Sequence, residues 1–446
     1  ESGHLGGGAL QFADGKAGYL GFQLDTGAVS PRYGWMRVVL TANGNGVIQS
    51  WAYDDSGAAI LAGVNGQASQ RVVTDVQETS TSAATAGDSI LLASGGKVTF
   101  DDGATGGSFS GTIDGVGEIQ IAGSGGLRLS GANAFTGTAT VQENSKLIVA
   151  DSTNLGSAAV VLGNSSVLVF ESSASNNGGT NTFSSTISLN GSGGVLENAG
   201  NGTVEVTGAV AGSGALTKDG SGNLTLSGTN SYSGATSVFE GKLTIASEGT
   251  INTTSGVSIG AGEFNYNSST ALTRNVSFSG TGGTLSGSGT ITTTVNVTEA
   301  NTLSIGNSPG TMNFDSDLTI GGTYSYELVG GTSSADLGNV AGNLTLGGIL
   351  DLVQLGTYTE GDKFTLLSYS GSLTGIFTDA SLDALSDDAI FTAAGGLWQI
   401  NYNGTLAGLN GGTQANFITI TAIPELSAAA LLGLGIMGLL VRRCRD

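Results

Sequence analysis

Apolar residues in this chain come in short alternating runs. ILLAS (90–94), KVTF (97–100), EIQIAG (118–123), LRLSG (127–131), KLIVA (146–150) and SVLVF (166–170) set Val, Ile, Leu or Phe at about every second position. Gly, Ser, Asn and Thr stand between the runs. A period of two places alternate side chains on opposite faces and predicts strands, and the intervening residues are those of tight turns. Helical periodicity is almost absent. LDALSDDA (382–389) is the one plausible helical turn in the body.

The runs also repeat at long range. LRLSGANAFTGTATV (127–141) returns as LTLSGTNSYSGATSV (224–238), with Leu, Leu, Ser, Gly, Asn, Gly and Val in register and the ring of Phe135 matched by that of Tyr232. Very short β-branched strands with a recurring corner predict a parallel β-solenoid of about 20–25 residues per coil, like strand stacked on like strand about 4.8 Å apart. In that fold Leu127, Leu129, Leu224 and Leu226 face the interior, while Arg128 and Thr225 face out. Gly131 and Gly228 permit the corner, Asn133 and Asn230 bond the turn backbone, and Phe135 and Tyr232 pack over the next coil. Gly137 and Gly234 complete the repeated string.

Four regions follow from the patterning. Residues 1–70 concentrate Tyr19, Phe22, Tyr33, Trp35, Trp51 and Tyr53 and read as three or four antiparallel strands of a truncated β-sandwich, its rings forming core or, alternatively, a sugar-stacking platform. Residues 71–322 read as the solenoid. Residues 323–421 alternate more cleanly and read as a final β unit or a cap over the last coil, whose unpaired edges would otherwise aggregate. Residues 422–446 end in an uncharged run from Ser427 to Val441, followed by Arg442, Arg443 and Arg445. That order predicts a short membrane helix with its basic end left in the cytoplasm. The sequence opens on Glu1 within a strand-like pattern, so an export signal is expected upstream.

GSGALTKDGSGNLTLSGTNSYSGATSVFEGKLTIAS (212–247) resembles the autotransporter-associated β-strand repeat of large secreted bacterial proteins. The match runs through Leu216, Lys218, Gly220, Gly222, Leu224, Leu226, Gly228, Asn230, Tyr232, Gly234, Thr236, Val238, Gly241, Leu243 and Ile245. A weaker copy at 123–149 passes from GSGG straight to LRLSG, without the LTKDGSGN lead-in. TLSIGNSPGTMNFDSDLTIGG (302–322) resembles the segment that commonly follows such repeats. The resemblance implies a right-handed parallel β-helix on a secreted protein, and no reaction. The tail resembles the PEP-CTERM sorting signal of Gram-negative bacteria, with Pro424 and Glu425 as its motif and Leu426 where that family has a second proline. This implies an exosortase-type membrane protease as partner, a transient stay in the inner membrane, and delivery to the cell surface or matrix.

Charge and reactive residues narrow the chemistry. Thirty-five acidic against fourteen basic side chains give a net charge of −21, which repels phosphate backbones and argues against nucleic acid. One cysteine, Cys444, and one histidine, His4, allow no disulfide framework, no Ser-His-Asp triad and no multi-His zinc site. The acidic pairs Asp54–Asp55, Asp101–Asp102 and Asp387–Asp388 are strand or turn neighbours that point apart, so none is a ready dyad. No cofactor is implied. Two readings remain. One is a non-catalytic structural or adhesive surface protein that meets exopolysaccharide or neighbouring cells; the other is a polysaccharide-active or polysaccharide-binding protein whose active part lies upstream.

Overall fold

A computed structural model describes residues 17–24, 32–40, 46–54, 70–73, 77–80, 89–101, 103–171, 180–307, 309–329 and 334–424. The molecule forms two compact units, Glu1–Thr244 with Gly249–Ser255, and Ile245–Glu248 with Gly256–Asp446.

The first unit opens on an antiparallel meander of Ala17–Leu24, Arg32–Leu40 and Gly46–Asp54. A second sheet that would make it a sandwich is not seen among the described residues. From Gln70 on, pairing becomes parallel. A coil carries up to three strands, one on each of three faces. On the first face Lys97–Asp101, Glu118–Ala122, Thr138–Val141 and Ala159–Leu162 stack in register, in steps of 21, 20 and 21 residues. The second face stacks Gly107–Phe109, Leu127–Leu129, Lys146–Val149, Ser166–Phe170, Gly193–Asn198 and Ala215–Asp219. The third face carries Ser89–Leu92, Thr112–Gly115 and Ala134–Phe135, and later Thr180–Phe183, Thr203–Val206 and Asn223–Leu226.

Alternation decides what the coil buries. Val98, Ile119, Ala139, Val160, Ile187 and Val210 form one inward column, and Phe100, Ile121, Val141, Leu162 and Leu189 another; none is more than 3% exposed. Each fully buried aliphatic side chain contributes about 1.5–3 kcal/mol. Strand length is limited to a few residues because the chain must turn twice more before it meets its own previous coil. The described residues hold one helical element, the 3-10 turn Ser152–Asn154, which takes the place of a third-face strand. Asp151 and Asn154 form a reciprocal capping box there.

The second unit repeats the plan. Thr284–Gly287, Thr302–Ile305, Thr323–Val329 and Ile349–Leu355 stack in parallel on one face. Thr311–Phe314, Leu337–Val340 and Lys363–Tyr369 stack on the next, and Val295–Val297, Leu318–Ile320, Leu344–Leu346 and Leu373–Thr374 on the third. Parallel coils thus run past residue 322 as far as Leu373–Thr374. The cleaner alternation there comes from longer strands of the same kind. Only then does the chain reverse: Lys363–Tyr369 pairs antiparallel with Asn416–Ile423, that strand with Gly396–Gly404, and that in turn with Ile390–Ala393.

The segment 382–389 is not a helical turn. Leu382 and Asp388 have φ of +66° and +64°, left-handed values that end any helix, and Ala384 bridges to Thr378 instead.

Candidate functional site

The two copies of the repeated string are the best-defined constellation in the molecule, and both lie in the first unit. Leu127, Leu129, Leu224 and Leu226 are all buried, at 1% exposure or less, while Arg128 and Thr225 lie on the outer face. The copies sit on different faces of the coil. LRL occupies the second face and is followed by Ala134–Phe135 on the third, whereas LTL occupies the third face and leads back to the first. One string therefore solves two different corners.

What the corner needs is close approach. A Cβ on Gly131 would stand 1.8 Å from the carbonyl oxygen of Gly111 in the previous coil, and one on Gly137 would stand 1.9 Å from that of Gly117. Gly228 stacks likewise on Gly208, and Gly234 on Gly214. These glycines are required because backbone lies on backbone.

The asparagines fasten the same corners. Asn133 Oδ1 accepts the amide of Ile113 at 2.7 Å, and Asn230 Oδ1 accepts that of Val210 at 2.9 Å, each twenty residues back. Their amide nitrogens donate to Asn154 O and Gly228 O, respectively. A side chain thus supplies a backbone-like bond where the ladder breaks.

The two rings differ in a compensated way. Tyr232 is fully buried, and burial raises its phenol pKa well above the usual value; its hydroxyl lies 2.7 Å from Thr236 Oγ1, which lies 3.1 Å from Thr254 Oγ1. In the first copy the ring is Phe135 and the residue matching Thr236 is Ala139. Hydroxyl and partner are present together or absent together.

The lead-in is present in both copies. Glu118–Ala122 and Gly123–Gly126 precede LRL as Ala215–Asp219 and Gly220–Asn223 precede LTL, and Gly123 and Gly220 both take positive φ, +84° and +76°. Isoleucine at 119 and 121 in place of Leu216 and Lys218 conceals the likeness. Lys218 points inward and is fully buried. Its ammonium donates to Asp219 O at 2.9 Å, Gly220 O at 2.6 Å and Glu240 O at 2.9 Å, which uses all three protons. Burial pushes its pKa down to about 8, against the opposing pull of Asp219, Glu240 and Glu197.

Further corner asparagines were not singled out from the sequence. Asn154, Asn198 and Asn301 are nearly or fully buried and bond backbone from adjoining coils. In so Asn-rich a chain they share no local position that marks them: Asn154 ends the 3-10 turn, Asn198 ends a strand and Asn301 precedes one.

Three carboxylates of the acidic pairs accept hydrogen bonds from turns and neighbouring strands. Asp101 Oδ1 accepts Gly103 N; Asp387 accepts Tyr402 N and Asn403 Nδ2; Asp388 accepts Asn401 Nδ2. Asp55 and Asp102 lie outside the described residues. No group of three or more His, Cys, Asp or Glu side chains among the described residues is placed to hold a metal. Of the tail, Pro424 ends the description; Glu425, Leu426, the run Ser427 to Val441, and Arg442, Arg443 and Arg445 lie outside it, as do His4 and Cys444. Among the described residues no helix is long and apolar enough to cross a membrane.

A family model described as the passenger-associated-transport-repeat matches residues 122–143 and 216–245. These stretches are the two copies whose geometry is given above, the first including its lead-in glycines. No curated protein sequence matches the chain. The chain therefore carries autotransporter-associated repeats within a parallel β-solenoid, a combination that fits a passenger-like protein that is secreted or displayed at the cell surface.

Proposed function

We propose that the protein is a non-catalytic solenoid of the bacterial cell surface or extracellular polysaccharide matrix, structural or adhesive in role, and delivered there by exosortase-type processing of its tail. The observation that carries this reading is how the repeat residues are employed. Leu, Gly, Asn and the ring of both copies, with Thr236 in the second, are committed to burial, close backbone approach or coil-to-coil hydrogen bonds. Outward positions on the described coils are mainly Thr, Ser, Asn and scattered charges, which keep a long surface wet and leave hydroxyls and amides available to a glycan.

The tail supports the delivery step. Pro424-Glu425 precedes fifteen uncharged residues and three arginines, the order a membrane protease of that type would read and the charge bias that holds an arginine end in the cytoplasm. Leu426 departs from the motif and should slow cleavage.

Two measurements test the proposal. A glycan-array and cell-binding screen of the body, run with a glycan-hydrolysis assay, should find matrix binding without cleavage; binding to nothing removes the adhesive role, and turnover of any glycan overturns the non-catalytic one. Mass spectrometry of the exported protein from an exosortase-bearing host should find the C-terminus near 424–426, with faster processing in Leu426→Pro. A tail still intact in both forms refutes the sorting step alone.

A further inference from the structure

Asn190 and Gly191 form a chemically labile pair in an exposed turn of the first unit. The turn joins the strands Ile187–Leu189 and Gly193–Asn198, and Gly193 N closes it by donating to Asn190 O at 3.0 Å. Two neighbouring amides are also engaged: Asn190 N donates to Leu162 O at 3.0 Å, and Ser192 N to Asn164 Oδ1 at 2.7 Å. The amide between them is left over. Gly191 N, second in the turn, meets no acceptor among the described residues, and the exposed side chain of Asn190 makes no hydrogen bond among them. Gly191 has φ of +58°, and a Cβ there would stand 1.9 Å from Asn164 Oδ1. The position therefore holds glycine, the residue that shields its own amide least.

The other Asn-Gly pairs among the described residues are held. Asn403 Nδ2 donates to Asp387 Oδ2 at 2.8 Å, and Gly404 pairs with Phe417 in the closing sheet. Asn410 Nδ2 donates to the Tyr326 hydroxyl, Asp336 O and Thr365 O, while its Oδ1 accepts Thr365 N at 2.7 Å. Gly202, after Asn201, has a partner of its own. We propose that Asn190 is a site of spontaneous deamidation in the folded protein, with water as the co-reactant.

The chemistry needs no other group of the protein. Gly191 N gives its proton to hydroxide and attacks Asn190 Cγ. The new N–Cγ bond closes a five-membered succinimide, the Cγ–Nδ2 bond breaks, and that nitrogen leaves as ammonia. Water then opens the ring at either carbonyl. Opening at Cγ restores the ordinary backbone with aspartate at 190; opening at the α-carbonyl leaves an isoaspartyl link, one carbon longer in the backbone. Ring closure requires the Asn190 carbonyl to turn away from Gly193, so the bond that must open is the one closing the turn, a local event. Either product adds a negative charge to the corner, and the isoaspartyl one lengthens it beside the Ser192–Asn164 contact. The inference is independent of the export and adhesion readings.

Peptide mapping of the full chain, aged in mildly alkaline buffer, tests it. The peptide holding Asn190 should gain one dalton and accept a methyl group from an isoaspartyl methyltransferase, at least tenfold faster than the peptides holding Asn403 and Asn410. The same chain aged in denaturant supplies the control: there the three rates should converge, since only the fold separates them. Asn190→Gln, whose longer side chain closes a six-membered ring far more slowly, should stay unchanged in mass at that peptide. An Asn190 that stays intact in the folded chain while reacting in the unfolded one overturns the proposal. So does a folded chain in which Asn403 or Asn410 reacts as fast.

Discussion

At the residue scale, the buried hydroxyls of the repeat come in a matched set, which makes their energetics separable. Tyr232→Phe removes one partner from Thr236, whose hydroxyl still lies 3.1 Å from Thr254, and should cost about 1 kcal/mol in denaturant unfolding. Adding Thr236→Ala recreates the Phe135–Ala139 pair of the first copy. Thr254 keeps its bond to Gly234 O, so the double variant should cost less than the sum of the singles by about 1 kcal/mol. Strict additivity would refute the coupling. Lys218 gives a prediction in pH. Its folded pKa, about 8, lies below the unfolded 10.5, so across that window the unfolded chain binds more protons and stability rises with pH; below pH 8 the desolvation cost is fully present. The wild-type unfolding free energy minus that of Lys218→Met should climb between pH 8 and 10.5, and a flat difference would show that the ammonium is not desolvated.

At the scale of the element, the coil corner explains why so much glycine is needed. Gly131→Ala forces a Cβ against the Gly111 carbonyl, backbone on backbone with no side chain able to yield, and should cost about 3 kcal/mol or more. Gly103→Ala is the contrast. That residue has φ of +62° with nothing within 4 Å of the added carbon, so only the left-handed penalty remains, about 1 kcal/mol. Equal losses would mean that φ alone, rather than stacking, selects glycine at corners. The same distinction governs how far the sequence could be read. Period-two alternation identifies the inward leucines and the strands that carry them, because burial acts on side chains that the sequence displays. Gly131 and Gly137 are visible as corner residues, but their reason lies in a neighbour about twenty positions back, out of reach of a local pattern. The first lead-in was missed because Ile119 and Ile121 fill the sites of Leu216 and Lys218, and a motif match counts identities where the coil counts buried volume. In 382–389 the alternation of Leu, Ala and Asp imitates a helical face, while left-handed Leu382 and Asp388 decide the outcome through backbone geometry.

At the scale of the whole molecule, a stack of parallel coils must end, and its last strands present open edges that invite pairing with another chain. The second unit answers this face by face. On one, Asn416–Ile423 pairs along Lys363–Tyr369, and Gly396–Gly404 and Ile390–Ala393 continue the sheet in antiparallel order. On another, Thr378 bridges Ile349, and Phe377, fully buried, stacks on Tyr324 with ring centroids 5.7 Å apart. Antiparallel strands suit the task because a hairpin can end in a short edge, whereas a further parallel coil would only recreate the problem. Deleting 390–423 should therefore cost solubility more than it costs the coils. It bares the edge of Lys363–Tyr369 and uncovers Phe364, fully buried in the intact unit with its ring centroid 6.4 Å from that of Trp398. Light scattering across a concentration series should show the truncated chain associating where the full chain does not, with β-sheet circular dichroism largely retained. A truncated chain that stays as dispersed as the parent would mean that the closing strands protect no edge, and that some other feature keeps the coils from joining end to end.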